Sequence, residues 1–177
     1  MQDIIEKAKK IEMVIFDVDG VMTDSSLFIG DDGQEYKAFN SKDGHGMRML
    51  LECGVKAAVI TGRKSQVVEH RMKDLGVSLV YQGYRDKTPA FEHLIEEVGI
   101  SMDKIAYVGD DVVDLPIMSR VDFAIAVQDA HPFVKQHAHW ITPRNGGCGA
   151  VRDVCEFILE AQGMLTGKLE SYLYVPV

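Results

Sequence analysis

Apolar runs of strand length alternate along this chain with stretches of helical period, the pattern of a parallel α/β sheet. The buried strands it predicts are Met13 to Phe16, Val55 to Ile60, Leu79 to Tyr81, Ile105 to Val108 and Phe123 to Val127, with a shorter one at Trp140 and Ile141. Helices are predicted at Gly46 to Glu52, Lys64 to Leu75, Thr88 to Val98, Asp111 to Ser119 and Ala150 to Gln162. In the third of these, Phe91, Leu94, Ile95 and Val98 line one face. Gly54, Gly76 and Gly99 each follow a helix closely, where a left-handed cap is wanted.

One segment breaks the alternation. Ser26 to Ile29, Gly30-Asp31-Asp32-Gly33 and Glu35 to Phe39 read as a β-hairpin turning at the Asp-Gly pair. It interrupts the first strand-to-helix crossover, where an α/β enzyme carries a lid or an oligomer contact. No other insertion is long enough for a separate cap. The expected fold is therefore one domain over residues 1–177: a three-layer, Rossmann-like parallel sheet with a hairpin insertion at about 25–39 and no cap domain.

At 177 residues one core suffices for stability, and 46% hydrophobic with 26% charged residues is an ordinary globular mixture. The formal net charge of −8 disfavours nucleic acid and anionic membranes as partners. An anionic substrate must then be caught by a few positioned cations inside a pocket. The longest apolar runs, such as Val55 to Ile60, are too short to span a bilayer, and Met1 to Ile11 lacks the apolar stretch of a signal peptide. Cys53, Cys148 and Cys155 have no metal-type spacing and read as reduced thiols, so a cytoplasmic location is expected.

Four stretches put polar residues at the carboxyl ends of predicted strands, the edge where open α/β sheets bind ligands. In Phe16-Asp17-Val18-Asp19-Gly20, a carboxylate ending a buried strand suits a nucleophile, and a second one two residues on suits an acid/base. An acidic turn is the alternative reading. Thr61-Gly62-Arg63 offers a hydroxyl and free amides opening a helix, either an anion seat or a plain cap. Lys87 opens the next helix, where an ammonium can neutralise a phosphoryl group and a carboxylate together, or simply be solvated. Gly109-Asp110-Asp111-Val112-Val113-Asp114 packs three carboxylates into five positions, a hard oxygen site suited to Mg²⁺. The helix dipole alone explains Asp111 and Asp114 well, and Asp110 less well.

Taken in order, Asp17, Asp19, Thr61, Lys87 and Asp110 resemble the four motifs of the haloacid dehalogenase superfamily of phosphohydrolases. Within it, further stretches resemble the bacterial 3-deoxy-D-manno-octulosonate 8-phosphate (KDO 8-phosphate) phosphatases of lipopolysaccharide synthesis. These include Lys37-Ala38-Phe39-Asn40, Asp43-Gly44, Tyr81-Gln82-Gly83, Ala130-His131-Pro132 and Gly146-Gly147 with Gly149-Ala150-Val151-Arg152. The match runs from about Met13 to Gly163.

The resemblance implies a Mg²⁺-dependent phosphatase that forms an aspartyl-phosphate on Asp17, with Asp19 as acid/base and backbone-carbonyl ligand. Asp110 would be the other metal ligand, and Asp111 and Asp114 would act through water. Thr61 and Lys87 would hold the phosphoryl group, with Gly62 beside them. It also implies a capless homotetramer whose hairpin builds the shared interface. For the sugar acid it points to Asn40, Ser41, Lys42, Asp43 and Gly44, and to Arg48, Arg63 and Arg71, each of which is otherwise a surface helix Arg. Lys42 stands where the family more often has Arg, and Lys cannot offer a carboxylate a two-pronged fork. Cys148 likewise replaces a frequent Arg.

Three other readings are open. The same chemistry can act on another phosphorylated sugar acid, such as a nonulosonate 9-phosphate. A signalling receiver domain also phosphorylates an Asp near a Lys, but gives no role to Gly109-Asp110-Asp111. A non-catalytic oligomerisation module of the same fold would not need all five motif residues.

Overall fold

The computed structural model describes residues 2–174. In chain order the elements are α1 (Gln2–Lys9), β1 (Met13–Phe16), β2 (Phe28–Ile29), β3 (Glu35–Tyr36), α2 (Ser41–Glu52), β4 (Lys56–Thr61), α3 (Gln66–Leu75) and β5 (Leu79–Gln82). They continue with α4 (Thr88–Val98), β6 (Ile105–Gly109), α5 (Leu115–Met118), β7 (Phe123–Ala126), α6 (Pro132–His137), β8 (Trp140–Ile141), α7 (Ala150–Ala161) and α8 (Leu165–Glu170).

Among the described residues six strands form one parallel sheet in the order β5-β4-β1-β6-β7-β8. Every residue of β1, β6 and β7 is buried, while the edge strands β5 and β8 are only half-buried. That is why the central strands read as unbroken apolar runs: helices cover both of their faces. Contacts of α2 with α3 and α7, and of α1 with α7, group these four on one face; α4, α5 and α6 follow one another on the other. The chain runs from β1 outward to β4 and β5, then returns across β1 to β6, so right-handed crossovers place the two helix groups on opposite faces.

The register sets the site. Phe16 aligns with Val59 of β4 and with Val108 of β6, so Asp17, Thr61 and Asp110 leave the sheet at the same end. This edge flanks β1, the point where the strand order reverses and open α/β sheets bind ligands.

The hairpin forms, but its paired part is short: Phe28 faces Tyr36 and Ile29 faces Glu35, antiparallel. Gly54, Gly76 and Gly99 all take left-handed backbone, as expected of helix ends.

Some elements differ from expectation. The segment Asn40 to Gly44, outside the helix expected at Gly46 to Glu52, holds the cap and first turn of α2, with the Asn40 carboxamide accepting from the amides of Lys42 (2.8 Å) and Asp43 (3.3 Å). Gly44 and Gly46 disguised it, since glycine lowers helix propensity. In place of one helix over Asp111 to Ser119, a 3₁₀ turn at Val112–Asp114 precedes the four-residue α5. Pro116 has no amide to return to Val112, so an α-helix cannot run through. The helices α1, α6 and α8 were not expected at all.

Candidate active site

Asp17 ends β1 with its amide still in the ladder, donating to the Val108 carbonyl at 3.1 Å. The chain then turns sharply through Gly20, whose φ is +94°. A Cβ there would lie 2.1 Å from Asp110 Oδ2, so the turn has room only for glycine. Gly146 presses on the same turn from behind: a Cβ on it would lie 1.7 Å from the Gly20 carbonyl oxygen. The Asp17–Gly20 turn is thus wedged between the glycine-rich loop and Asp110.

Lys87 precedes α4 and is 3% exposed. Its ammonium lies 2.9 Å from Asp17 Oδ1, 2.6 Å from Asp114 Oδ1 and 3.3 Å from the Tyr107 hydroxyl. Tyr107 donates to the same Asp114 oxygen at 2.6 Å. The other oxygen of Asp114 accepts from the amides of Asp110 (2.9 Å) and Asp111 (3.2 Å). Asp114, fully buried, therefore has both oxygens engaged. Its task is to hold Lys87 and to shape the turn that presents Asp110. Asp110 is fixed from its other side as well, its carbonyl accepting from the His131 amide at 2.8 Å.

The two carboxylates facing each other are not satisfied. Asp17 Oδ1 and Asp110 Oδ1 are buried without an aligned hydrogen-bond donor; Lys87 is near the former but off the bonding direction. One oxygen each from Asp17, Asp110 and Asp114 lies within 4.8 Å of the others. Burial raises the Asp17 carboxyl to about 7, with Lys87 opposing and Asp114 adding to the rise. Burial, then Asp17 and Asp114, raise Asp110 to about 8. Two undonated, desolvated carboxylates are costly, and a hard divalent cation bound by oxygen removes that cost. The donor set fits Mg²⁺, with Asp17 and Asp110 as the free ligands. Burial pulls the Lys87 ammonium down, but Asp17 and Asp114 together outweigh it and hold the group protonated.

A cleft of about 750 Å³ opens over these groups. Asp17, Asp19, Thr61, Gly62, Lys87, Asp110 and Asp111 line it, so the structure gathers the motif residues from four separate strand ends. Thr61 ends β4, with its hydroxyl at the opening of the Gly62-Arg63 turn. Asp111 reaches the rim, where its carboxylate accepts from the Val112 amide at 2.7 Å. Arg63, Lys64 and Arg85 give one wall its positive charge, while Leu27 and Val113 supply apolar edges.

The remaining expected residues lie elsewhere in the single chain. Ser41 and Lys42 are exposed on the first turn of α2. Asn40 donates to the Gly147 carbonyl at 3.2 Å. Asp43 is 2% exposed and accepts from the amides of Gly149 (3.2 Å) and Arg152 (2.9 Å), fixing the start of α7. Gly44 packs under the Arg71 guanidinium. Arg48 donates to the Asp74 carbonyl at 2.7 Å, and Arg71 pairs with the Asp74 carboxylate at 3.1 Å. Of the sugar-acid set, Arg63 alone lines the cleft.

Three residues at the site had been given no role. Tyr107 reads as an ordinary strand residue, and only its place two before Gly109-Asp110 hints at more. Lys37 pairs with Asp19, and Glu35 lies 3.0 Å from Lys37. Lys37 had appeared only within the stretch Lys37-Ala38-Phe39-Asn40 that carries the resemblance, with no role of its own, and alternation on the hairpin puts it and Glu35 on one side.

A family model described as haloacid dehalogenase-like hydrolase matches residues 79–154. The 3-deoxy-D-manno-octulosonate 8-phosphate phosphatase KdsC of Escherichia coli K12 is 46% identical over 163 residues, covering 92% of this chain and 87% of its own. The crystal structure of such a phosphatase from Yersinia pestis is 44% identical, covers 93% of this chain and 89% of its own, and superposes with a TM-score of 0.92. Another, from Moraxella catarrhalis, contains a magnesium ion, a phosphate ion and a KDO molecule. It is 38% identical, covers 97% of this chain and 99% of its own, and has a TM-score of 0.94.

Proposed function

The chain belongs to the 3-deoxy-D-manno-octulosonate 8-phosphate phosphatases of the haloacid dehalogenase-like hydrolases, and from that premise we propose that it hydrolyses this phosphate ester to the free sugar acid and phosphate. The observation that carries the reading is the convergence of Asp17, Asp110 and Lys87 at one end of the sheet, with two carboxylate oxygens buried and undonated.

Asp17 attacks phosphorus from the end of β1, in line with the departing sugar oxygen. Lys87, held by Asp114 and Tyr107, takes up negative charge on the phosphoryl oxygens, and Thr61 with the Gly62-Arg63 turn seats them. Asp19 gives a proton to the leaving oxygen, then takes one from the water that hydrolyses the aspartyl-phosphate. Asp17, Asp110 and the Asp19 carbonyl would hold Mg²⁺, which when bound would supply further positive charge against the phosphoryl group. Asp111, at the rim, would act on such an ion through water. Asp114 acts through Lys87 and the backbone of Asp110 and Asp111. Arg63, with Lys64 and Arg85 beside it, suits the substrate carboxylate.

Among the described residues no cap covers the cleft, and Leu27, Phe28, Ile29 and Tyr36 leave apolar side chains on both sides of the hairpin open to solvent. So much exposed apolar surface on one short hairpin supports burial between subunits, as in a homotetramer. Among the described residues no helix is long and apolar enough to cross a membrane. A cytoplasmic step of lipopolysaccharide biosynthesis accords with this reading. The test compares kcat/KM across octulosonate, nonulosonate and neutral sugar phosphates. The octulosonate 8-phosphate should rank first; a higher value for a nonulosonate 9-phosphate would reassign the substrate.

A further inference from the structure

The end of the hairpin carries a polar chain that the scheme above does not use. Glu35 lies in β3 and Lys37 just past it, and their charged ends meet at 3.0 Å, while Tyr36 between them faces Phe28 across the hairpin. The Lys37 side chain is 1% exposed; its ammonium pairs with Asp19 Oδ1 and stands 3.0 Å from Glu35 Oε1. The same Glu35 oxygen accepts from Arg63 Nε at 3.1 Å. Charge therefore alternates along Asp19, Lys37, Glu35 and Arg63, from the turn after β1 to the turn after β4. A lysine this buried is tolerated because two carboxylates compensate it. Through these contacts the hairpin grips both sides of the cleft.

We propose that Lys37 is a positioning residue for Asp19: it holds one carboxylate oxygen so that the other faces the leaving oxygen above Asp17. Glu35 fixes Lys37 in turn, and Arg63 fixes Glu35. Proton delivery is thereby built into the seating of the hairpin. The inference rests on the acid/base role proposed for Asp19.

Leaving groups of different chemistry separate this role from a merely structural one. An alkoxide needs a proton in order to leave, whereas p-nitrophenolate leaves without one. The probes are p-nitrophenyl phosphate and whichever sugar phosphate the wild type turns over best, compared by kcat/KM, which reports the first step. In Lys37→Gln the sugar phosphate should lose about 100-fold, within the range of a positioned general acid. The loss on p-nitrophenyl phosphate should be smaller by at least about tenfold. Lys37→Arg should recover most of the difference, and Glu35→Gln should show the same selectivity more weakly, which keeps the test available if Lys37→Gln does not fold. Equal losses on both substrates, or no loss, overturn the inference alone. No phosphate release by the wild type sinks the phosphatase reading and this inference with it.

Discussion

The Lys87 ammonium stands 2.9 Å from Asp17 Oδ1, and both groups are nearly fully buried. That pairing crosses the sheet: one partner ends β1, and the other precedes the helix that returns the chain to β6. Asp114 completes the arrangement from a third loop at 2.6 Å. A buried charge of either sign is expensive alone, so each of the three is affordable only because of the others.

Lys87→Met should therefore cost both stability and rate. It leaves Asp17 and Asp114 without their counter-charge, a loss of about 3–5 kcal/mol for a broken buried pair. Urea unfolding in chelator measures this. With Mg²⁺ present, kcat should still fall at least about 100-fold, because an aimed donor at the developing charge is missing. A variant with wild-type kcat would exclude Lys87 from the reaction.

Gly20→Ala tests the crowding at the turn. Its φ of +94° disfavours any side chain, and the new Cβ would meet Asp110 Oδ2 at 2.1 Å. Displacing Asp110 should cost about 1–3 kcal/mol, or roughly 5- to 150-fold in magnesium affinity by calorimetric titration. Affinity within about twofold of wild type would show that Asp110 does not hold the ion.

Magnesium should stabilise the protein more as pH rises. In the ion-free protein Asp17 titrates at about 7 and Asp110 at about 8, both above the ordinary 3.8. The folded state then binds more protons than the unfolded chain across that interval. These two groups favour folding most below the ordinary value, and that contribution is lost as pH climbs through 7 and 8. The cation takes the place of the protons, so its increment in melting temperature should grow from about pH 6 to about pH 9. An increment independent of pH would mean that the ion binds elsewhere.

Legibility in the sequence followed chemistry at strand ends. Asp17, Thr61 and Asp110 could be placed because each terminates an apolar run, and parallel register carries all three to one edge. Lys87 could be placed because it opens a helix after such a run. Lys37 stood in a stretch shared with the resembled family, but its role could not be read, since on a hairpin it looks like any solvated charge; its burial depends on Asp19, eighteen residues away. Tyr107 was equally hidden, because its hydroxyl serves a polar cluster at the end of an otherwise apolar strand. Asp43 was pointed to only by the family resemblance, as part of a substrate-contacting stretch, yet its carboxylate anchors α7 more than a hundred residues on. Local pattern reports which groups end an element; it does not report which distant backbone amides those groups will meet.

The central claim is that Asp17 carries the phosphoryl group beside a cation held with Asp110. Phosphate release by Asp17→Asn with saturating Mg²⁺ tests it most directly, with circular dichroism confirming the fold and mass spectrometry excluding deamidation back to Asp. Turnover should be abolished in this variant, as it should be for wild type in EDTA, with recovery of the wild type alone on restoring Mg²⁺. Release at the wild-type rate from the intact Asn variant would contradict the account.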